Sequence, residues 1–341
     1  MSETSTAVAL ARELIAVESI TGNEEPVVRI LERELGAMGF AVRRDEVAPG
    51  RHNLYAGPAR PAVLFSTHTD TVPPFLEARE DETHLHGRGA CDTKGIQACM
   101  IEAGQRLLAA NFKDFGYLFV VGEEVDNCGA RAANEHVRAG HVILGEPTEN
   151  QIAVGHKGVY GCRIQARGVA AHSAYPELGD SAIHRLLRGI QRVLAADFGI
   201  SEILGPATVN VGEIQGGVAP NVFAPQAAAT LVVRVVGPLE DIERKVAECF
   251  ADPDTGEADP HIEIEGRSRM PVPHLERVED FPETTVSFGT DAPFMGDVGK
   301  IVLFGPGNIQ DAHTDHEKIA KADMAVAVER YMELAKRLAA S

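Results

Sequence analysis

The chain has 341 residues, 44% of them hydrophobic, with a formal net charge of −18 at pH 7; the length favours two domains and the apolar content is ample for folding. So acidic a surface argues against nucleic acid and anionic membranes as partners, because both would repel it. Five cysteines without a C-x-x-C pair point to reduced thiols in a cytosolic protein rather than to a disulfide framework. No apolar run is long enough to span a bilayer. The N-terminus also lacks a basic region followed by an apolar stretch and cleavage site, so a cytoplasmic location is expected.

In chain order, residues 7–17 (AVALARELIAV) and 25–38 show helical spacing of apolar side chains, and Phe40 and Val42 open a strand after Gly39. Residues 61–70 (PAVLFSTHTD) are an apolar β-branched and aromatic run that stops abruptly at His68, Thr69 and Asp70. This reads as a strand covered on both faces, and open α/β sheets place ligands beyond the carboxyl ends of such strands. In extended backbone residues two apart share a side, so Asp70 can reach His68 and fix its tautomer. His68 is then either a metal-binding histidine with its orienting partner or a satisfied histidine at a strand end.

The pattern recurs. Residues 117–121 (YLFVV) run into Gly122, Glu123 and Glu124, and residues 141–144 (HVIL) run into Gly145 and Glu146. Between the first and second runs lies GRGACDTKG, which presents Asp92 ahead of an apolar helical pattern. Near the C-terminus residues 301–304 (IVLF) lead into GPGNIQDAHTDHE, which supplies His313. Carboxylates and two histidines therefore collect at one sheet edge. GRGACDTKG lacks the glycine and lysine spacing that cradles phosphate, which disfavours a dehydrogenase or nucleotide enzyme. Cys91 has no nucleophile-elbow pattern around it and reads as a packed thiol.

After Glu146 the texture changes. A strand (GCRIQARG), a helix over 182–194, strands over 208–214 and 227–236, a helix over 239–250 and a strand over 261–265 give β-α-β-β-α-β order, a ferredoxin-like unit with its own sheet. The expected domains are 1–157 and 270–341 for the first, with 158–269 inserted between its parts.

The segments STHTDTVP, GRGACDTKG, GEEVDNCGA, GEPTE, GVAAHSAYPELGDSAI, GGVAPNVFAP, GTDAPF and AHTDHE, in this order over nearly the whole chain, resemble the di-zinc deacylase and exopeptidase family. That family includes acetylornithine deacetylase, succinyl-diaminopimelate desuccinylase, aminoacylase and glutamate carboxypeptidase. The resemblance implies an α/β fold in which a mostly parallel mixed-sheet zinc-exopeptidase catalytic domain carries an inserted ferredoxin-like α+β domain that serves as lid and dimerisation element. It implies two zinc ions per subunit, replaceable by cobalt, with His68 and Glu146 on one, Glu124 and His313 on the other, and Asp92 bridging. It makes Glu123 the general base acting on a zinc-bridged water, with Asp70 beside His68. His172, contributed by the partner subunit of a homodimer, and Asn221 would stabilise the oxyanion, while Arg234, Gly289 and Thr290 would hold the substrate carboxylate. It also implies a cis peptide bond between Asp92 and Thr93. His313 is preferred to His316 because the family pattern is His, three residues, then Glu, matched by His313 and Glu317.

Two segments depart from the family: its G-x-N-A-I stands here as GDSAI, and its N-V-I-P as NVFAP. Both bear on substrate contacts more than on chemistry. The resemblance implies hydrolysis of an N-acyl amino acid in amino-acid biosynthesis, acetylornithine deacetylase first, the desuccinylase second and a dipeptidase or carboxypeptidase third. A non-enzymatic metal-binding relative is disfavoured because no ligand and no base is missing. His84, His86 and His156 lack comparable partners and read as structural or exposed.

Overall fold

The structure, a computed structural model, describes residues 5–341. Four strands, Phe115–Val120, Val63–His68, His141–Leu144 and Lys300–Leu303, run parallel at the centre of an eight-stranded sheet. Val42–Ala48 and Arg51–Ala56 extend one edge as antiparallel strands. Ile152–His156, antiparallel to Lys300–Leu303, and then Glu283–Val286 extend the other.

The apolar runs are continuous because both faces of the central strands are covered. Phe65, Phe115, Tyr117, Phe119, Ile143 and Val302 pack into one core with Leu14, Leu31, Met100 and Tyr331, from helices Thr6–Ile15, Glu25–Ala37, Gly95–Ala109 and Lys321–Ala339. Their neighbours Leu64, Leu118, Val120, Val142, Leu144 and Leu303 pack into a second core with Ala130 and Ala133 of helix Cys128–His136. A strand of this kind has no solvent face on which to carry charged residues, so these gather where the strand ends, while the small polar side chains of Ser66 and Thr67 are buried within it. Tyr331 ties the C-terminal helix to that ending, its hydroxyl donating to the carbonyl of Phe304 at 3.1 Å.

The chain divides into two compact units. One holds the residues up to Val154 together with His274–Val286 and Thr290–Ser341; the other holds Gly155–Pro273 with Ser287–Gly289. In the second unit Gly158–Arg167, helix Ala182–Ala195, Thr208–Gly216, Gln226–Val235, helix Leu239–Phe250 and Ile262–Met270 follow in β-α-β-β-α-β order. Their four-stranded sheet is antiparallel throughout, with Gln226–Val235 and Gly158–Arg167 inside and the other two strands at the edges. Along Gln226–Val235 burial alternates. Ala227, Ala229, Leu231, Val233 and Val235 face Leu186, Ile190, Ile242 and Val246, while Arg234 is exposed. Gly189 lets the two helices approach: a Cβ there would meet the Phe250 ring at 2.1 Å.

The last strand reaches Met270, past the 261–265 segment expected from apolar alternation. It shifts register between Gly266 and Ser268 and is mostly exposed beyond Glu265, so its hydrogen bonds continue where its apolar pattern has ended. Among the described residues no helix is long and apolar enough to cross a membrane.

Candidate metal-dependent active site

The parallel strands deliver their polar ends to one place. His68 is the last residue of its strand and 1% exposed. Its carbonyl accepts the Thr93 hydroxyl at 3.1 Å and the Gln97 amide at 2.6 Å, which fastens the GRGACDTKG loop to the strand end. The Asp92–Thr93 peptide in that loop is cis, as the resemblance implies.

Beyond Val120 the chain turns at Gly122, whose φ of +81° favours glycine; a Cβ there would also come within 2.6 Å of the Cys128 sulfur. Asp70 organises this turn. Its carboxylate accepts the N–H groups of Gly122 at 3.0 Å, Glu123 at 3.2 Å and Glu124 at 3.3 Å, and the Thr21 hydroxyl at 2.8 Å. His68 Nδ1 lies 3.0 Å from the carbonyl oxygen of Asp70 and 3.6 Å from its carboxylate. The closer partner that orients the imidazole is therefore main chain, and the carboxylate mainly holds the segment that carries Glu123 and Glu124.

The ring nitrogen on the other side, His68 Nε2, lies 3.0 Å from Asp92 Oδ1. His313 Nε2 lies 3.2 Å from Asp92 Oδ2 and 3.1 Å from Glu124 Oε1. One carboxylate thus faces a different histidine with each of its oxygens. Ligand atoms of His68, Asp92 and Glu124 all fall within 4.8 Å of one another. Glu146 is buried, and its Oε1 has no hydrogen-bond partner, an arrangement costly for a carboxylate that has no cation to face.

The electrostatics agree with that geometry. Burial, reinforced by Asp92, Asp291 and Glu124, raises the Glu146 carboxyl well above its ordinary range, against the nearby His68. Burial and the Glu146 charge do the same to Glu123. Contacts with Asp92 and Glu124 push His313 up to about 10. His68 is raised as well: burial opposes its charge, but Asp70 and Asp92 outweigh the burial. Carboxylates are in excess and the imidazoles compensate them, which is the pattern of a site built around positive charge. Its mixed nitrogen and oxygen donors fit zinc or cobalt better than calcium or magnesium.

The second unit carries predicted residues of its own. His172 and Asn221 lie on adjoining exposed segments, joined by a bridge between His172 and Val222 and by the Ser173 N–H on the Asn221 carbonyl at 2.9 Å. Arg234 stands exposed on its strand. Gly289 passes so close to Met270 that a Cβ would meet its sulfur at 2.6 Å. Thr290, in the first unit, is buried and accepts the Ala292 N–H at 3.1 Å.

Asp291 escaped the sequence reading although it adjoins Thr290. It is buried, and its Oδ1 accepts the side-chain amide of Asn127 at 3.0 Å; the same amide reaches the Glu123 carbonyl at 3.3 Å. Burial pushes its carboxyl up to about 7, with the Asp70 charge adding to the rise. Its only sequence signal was its place inside GTDAPF. Of the remaining histidines, His156 is buried at the end of its strand, His86 pairs with Asp81 at 2.7 Å, and His316 is exposed. The Cys91 thiol is buried, with the Asn308 carbonyl 3.3 Å away.

Comparison with known proteins gives a consistent answer. A Peptidase M20 domain-containing protein of Schizosaccharomyces pombe is 35% identical over 340 residues, covering 96% of this chain and 83% of its own. A probable carboxypeptidase of Aspergillus flavus is 36% identical over 367 residues, covering 95% of this chain and 85% of its own. The crystal structure of a tripeptidase from Staphylococcus aureus shares the fold, with a TM-score of 0.81 at 23% identity over 98% of both chains. Residues 64–337 match the model of peptidase family M20/M25/M40; the chain belongs to that family.

Proposed function

We propose that this hydrolase of the M20 metallopeptidase family cleaves the amide bond of an N-acyl amino acid, with N-acetylornithine as the first substrate to test and N-succinyl-diaminopimelate as the next. The observation that carries the hydrolytic reading is the Asp92 carboxylate, whose two oxygens face His68 and His313 at 3.0 and 3.2 Å. In this reading His68 and Glu146 hold one divalent ion, Glu124 and His313 hold the other, and Asp92 serves both. The ions are zinc, with cobalt able to substitute. When bound, such a pair polarises the scissile carbonyl and lowers the pKa of water.

The remaining roles belong to the chain's own side chains. Glu123, the chain neighbour of a ligand, takes a proton from the attacking water and gives it to the leaving nitrogen. Asp70 keeps Glu123 and Glu124 at their stations through the three N–H groups it accepts. His172 and Asn221 donate to the oxyanion of the tetrahedral intermediate, and Arg234, Gly289 and Thr290 receive the substrate carboxylate. His172 acts in the site of the partner subunit within a homodimer that pairs through the second unit. Five free cysteines suit a reducing, cytoplasmic setting.

A second reading, removal of the C-terminal amino acid from a short peptide, is favoured by the likeness to probable carboxypeptidases. It uses the same residues, because a peptide C-terminus is also an acylated amino acid. A panel of N-acetyl, N-succinyl and dipeptide substrates, assayed with added zinc or cobalt for release of free amine, separates these readings. Release from N-acetylornithine well above that from dipeptides supports the first, the reverse order supports the second, and no amine from any substrate contradicts both.

A further inference from the structure

A buried arginine–glutamate ion pair of the first unit adjoins the loop that carries Asp92. Arg88 and Glu317 are each 1% exposed, and Arg88 Nη1 donates to Glu317 Oε2 at 2.6 Å. The other oxygen, Glu317 Oε1, accepts the main-chain N–H groups of Cys91 at 3.1 Å and Asp92 at 3.2 Å. Arg88 is itself fixed, donating through Nε to the Pro74 carbonyl at 3.1 Å. The main chain of Glu317 takes part as well, its carbonyl accepting the Gly87 N–H at 3.0 Å.

Glu317 therefore fastens the loop that carries Asp92 to its own segment, and four residues earlier that segment carries His313, whose ring faces Asp92 Oδ2 at 3.2 Å. The two groups that must agree in position are joined through one carboxylate. A buried charge pair is a poor stabiliser compared with apolar packing, and two N–H groups can be satisfied by a neutral acceptor. What the Glu317 oxygen adds is position, because it holds both N–H groups of the loop that carries Asp92. We propose that Glu317 is a positioning residue that sets the Asp92 carboxylate against His313, and so keeps the half-site of His313 and Glu124 in register with that of His68 and Glu146. This rests on the metal assignment under Proposed function and adds the group that aligns its two halves.

The test titrates the metal-free full-length protein with cobalt(II) and follows visible absorbance, so that it needs no substrate. Two double variants lack the ion pair and differ only in the acceptor. Glu317→Gln with Arg88→Met keeps an oxygen for the two N–H groups, and Glu317→Leu with Arg88→Met removes it. The first is expected to bind two cobalt equivalents within about threefold of wild type. The second is expected to keep one equivalent and to lose at least about tenfold in affinity for the other, in line with the effect of removing groups that orient metal ligands. Should the leucine variant not fold, Glu317→Asp decides, since it keeps the charge but draws the oxygens back by one methylene. The same selective weakening is expected of it, and wild-type affinity for both equivalents would overturn the proposal. A residue that merely stabilised the loop would shift the melting temperature of the metal-free protein and leave both equivalents unchanged in every variant, which also overturns it. If wild type itself binds fewer than two equivalents, the metal assignment falls and this inference falls with it; two equivalents bound with unchanged affinity in wild type and in all variants overturn this inference alone.

Discussion

The two groups of candidate site residues differ in how firmly they are held. In the first unit Asp70 accepts three main-chain N–H groups and a hydroxyl, His68 is gripped on both ring nitrogens, and Glu146 is buried against other carboxylates. In the second unit His172, Asn221 and Arg234 are exposed. The difference suits the two kinds of work proposed for the two groups. Groups that hold ions and move protons must be in place beforehand, because reorganisation during the reaction would add to the barrier. Groups that meet a substrate must be reachable from solvent before it binds.

Removing metal should break the first group outright. Chelation is expected to take turnover below detection while far-UV circular dichroism stays near that of the untreated protein, because the site lies at the ends of strands whose apolar cores remain intact. Full turnover after verified metal removal would contradict the assignment.

The second group is expected to answer by degree. His172→Ala and Asn221→Ala should each lower kcat by about a hundredfold to a thousandfold, the usual consequence of losing an oxyanion donor, with metal content unchanged. Arg234→Ala should raise KM roughly tenfold with kcat within about threefold, as expected when a charged hydrogen bond to the substrate is lost equally from ground and transition states. A kcat loss at Arg234 as large as that at His172 would erase the distinction between holding the substrate and stabilising the oxyanion.

The smallest effect lies away from the chemistry. Burial lowers the His156 pKa from its ordinary 6.5 to about 4. Between those values the unfolded chain binds a proton that the folded chain refuses, so stability is full above pH 6.5 and falls as the pH drops towards 4. Wild type should lose about 2 to 3 kcal/mol between pH 7.5 and 4.5 from this group, and His156→Gln should lack that component. Urea unfolding of both proteins at the two pH values checks it; equal losses would mean that His156 is not buried neutral.

Most of the first unit was legible because strands buried on both faces write themselves as unbroken apolar runs, and the break in each run marks its end. His68, Glu124 and Glu146 announce themselves in this way. What is made through space left no such mark. The carboxylate of Asp70 could be placed beside His68 by the two-residue repeat of a strand, but its hold on the Gly122 to Glu124 turn depends on how a neighbouring strand ends. Asp291 and Asn127 are far apart in sequence and meet only in the fold. The last strand of the second unit ran past its apolar pattern for a related reason, since backbone pairing at an exposed edge asks nothing of the side chains.

The most direct test is metal content and turnover of Glu123→Ala beside Glu124→Ala. The two residues are adjacent, yet Glu124 Oε1 lies 3.1 Å from His313 Nε2, while Glu123 lies among the charges of Glu146, His68, Asp291 and Glu124. Glu123→Ala should retain two ions per chain and lose roughly a hundredfold to ten-thousandfold in kcat, the span of general-base catalysis; Glu124→Ala should retain one ion. Equal metal loss in the two variants, or near-normal turnover in Glu123→Ala, would contradict the division between the group that holds metal and the group that moves the proton.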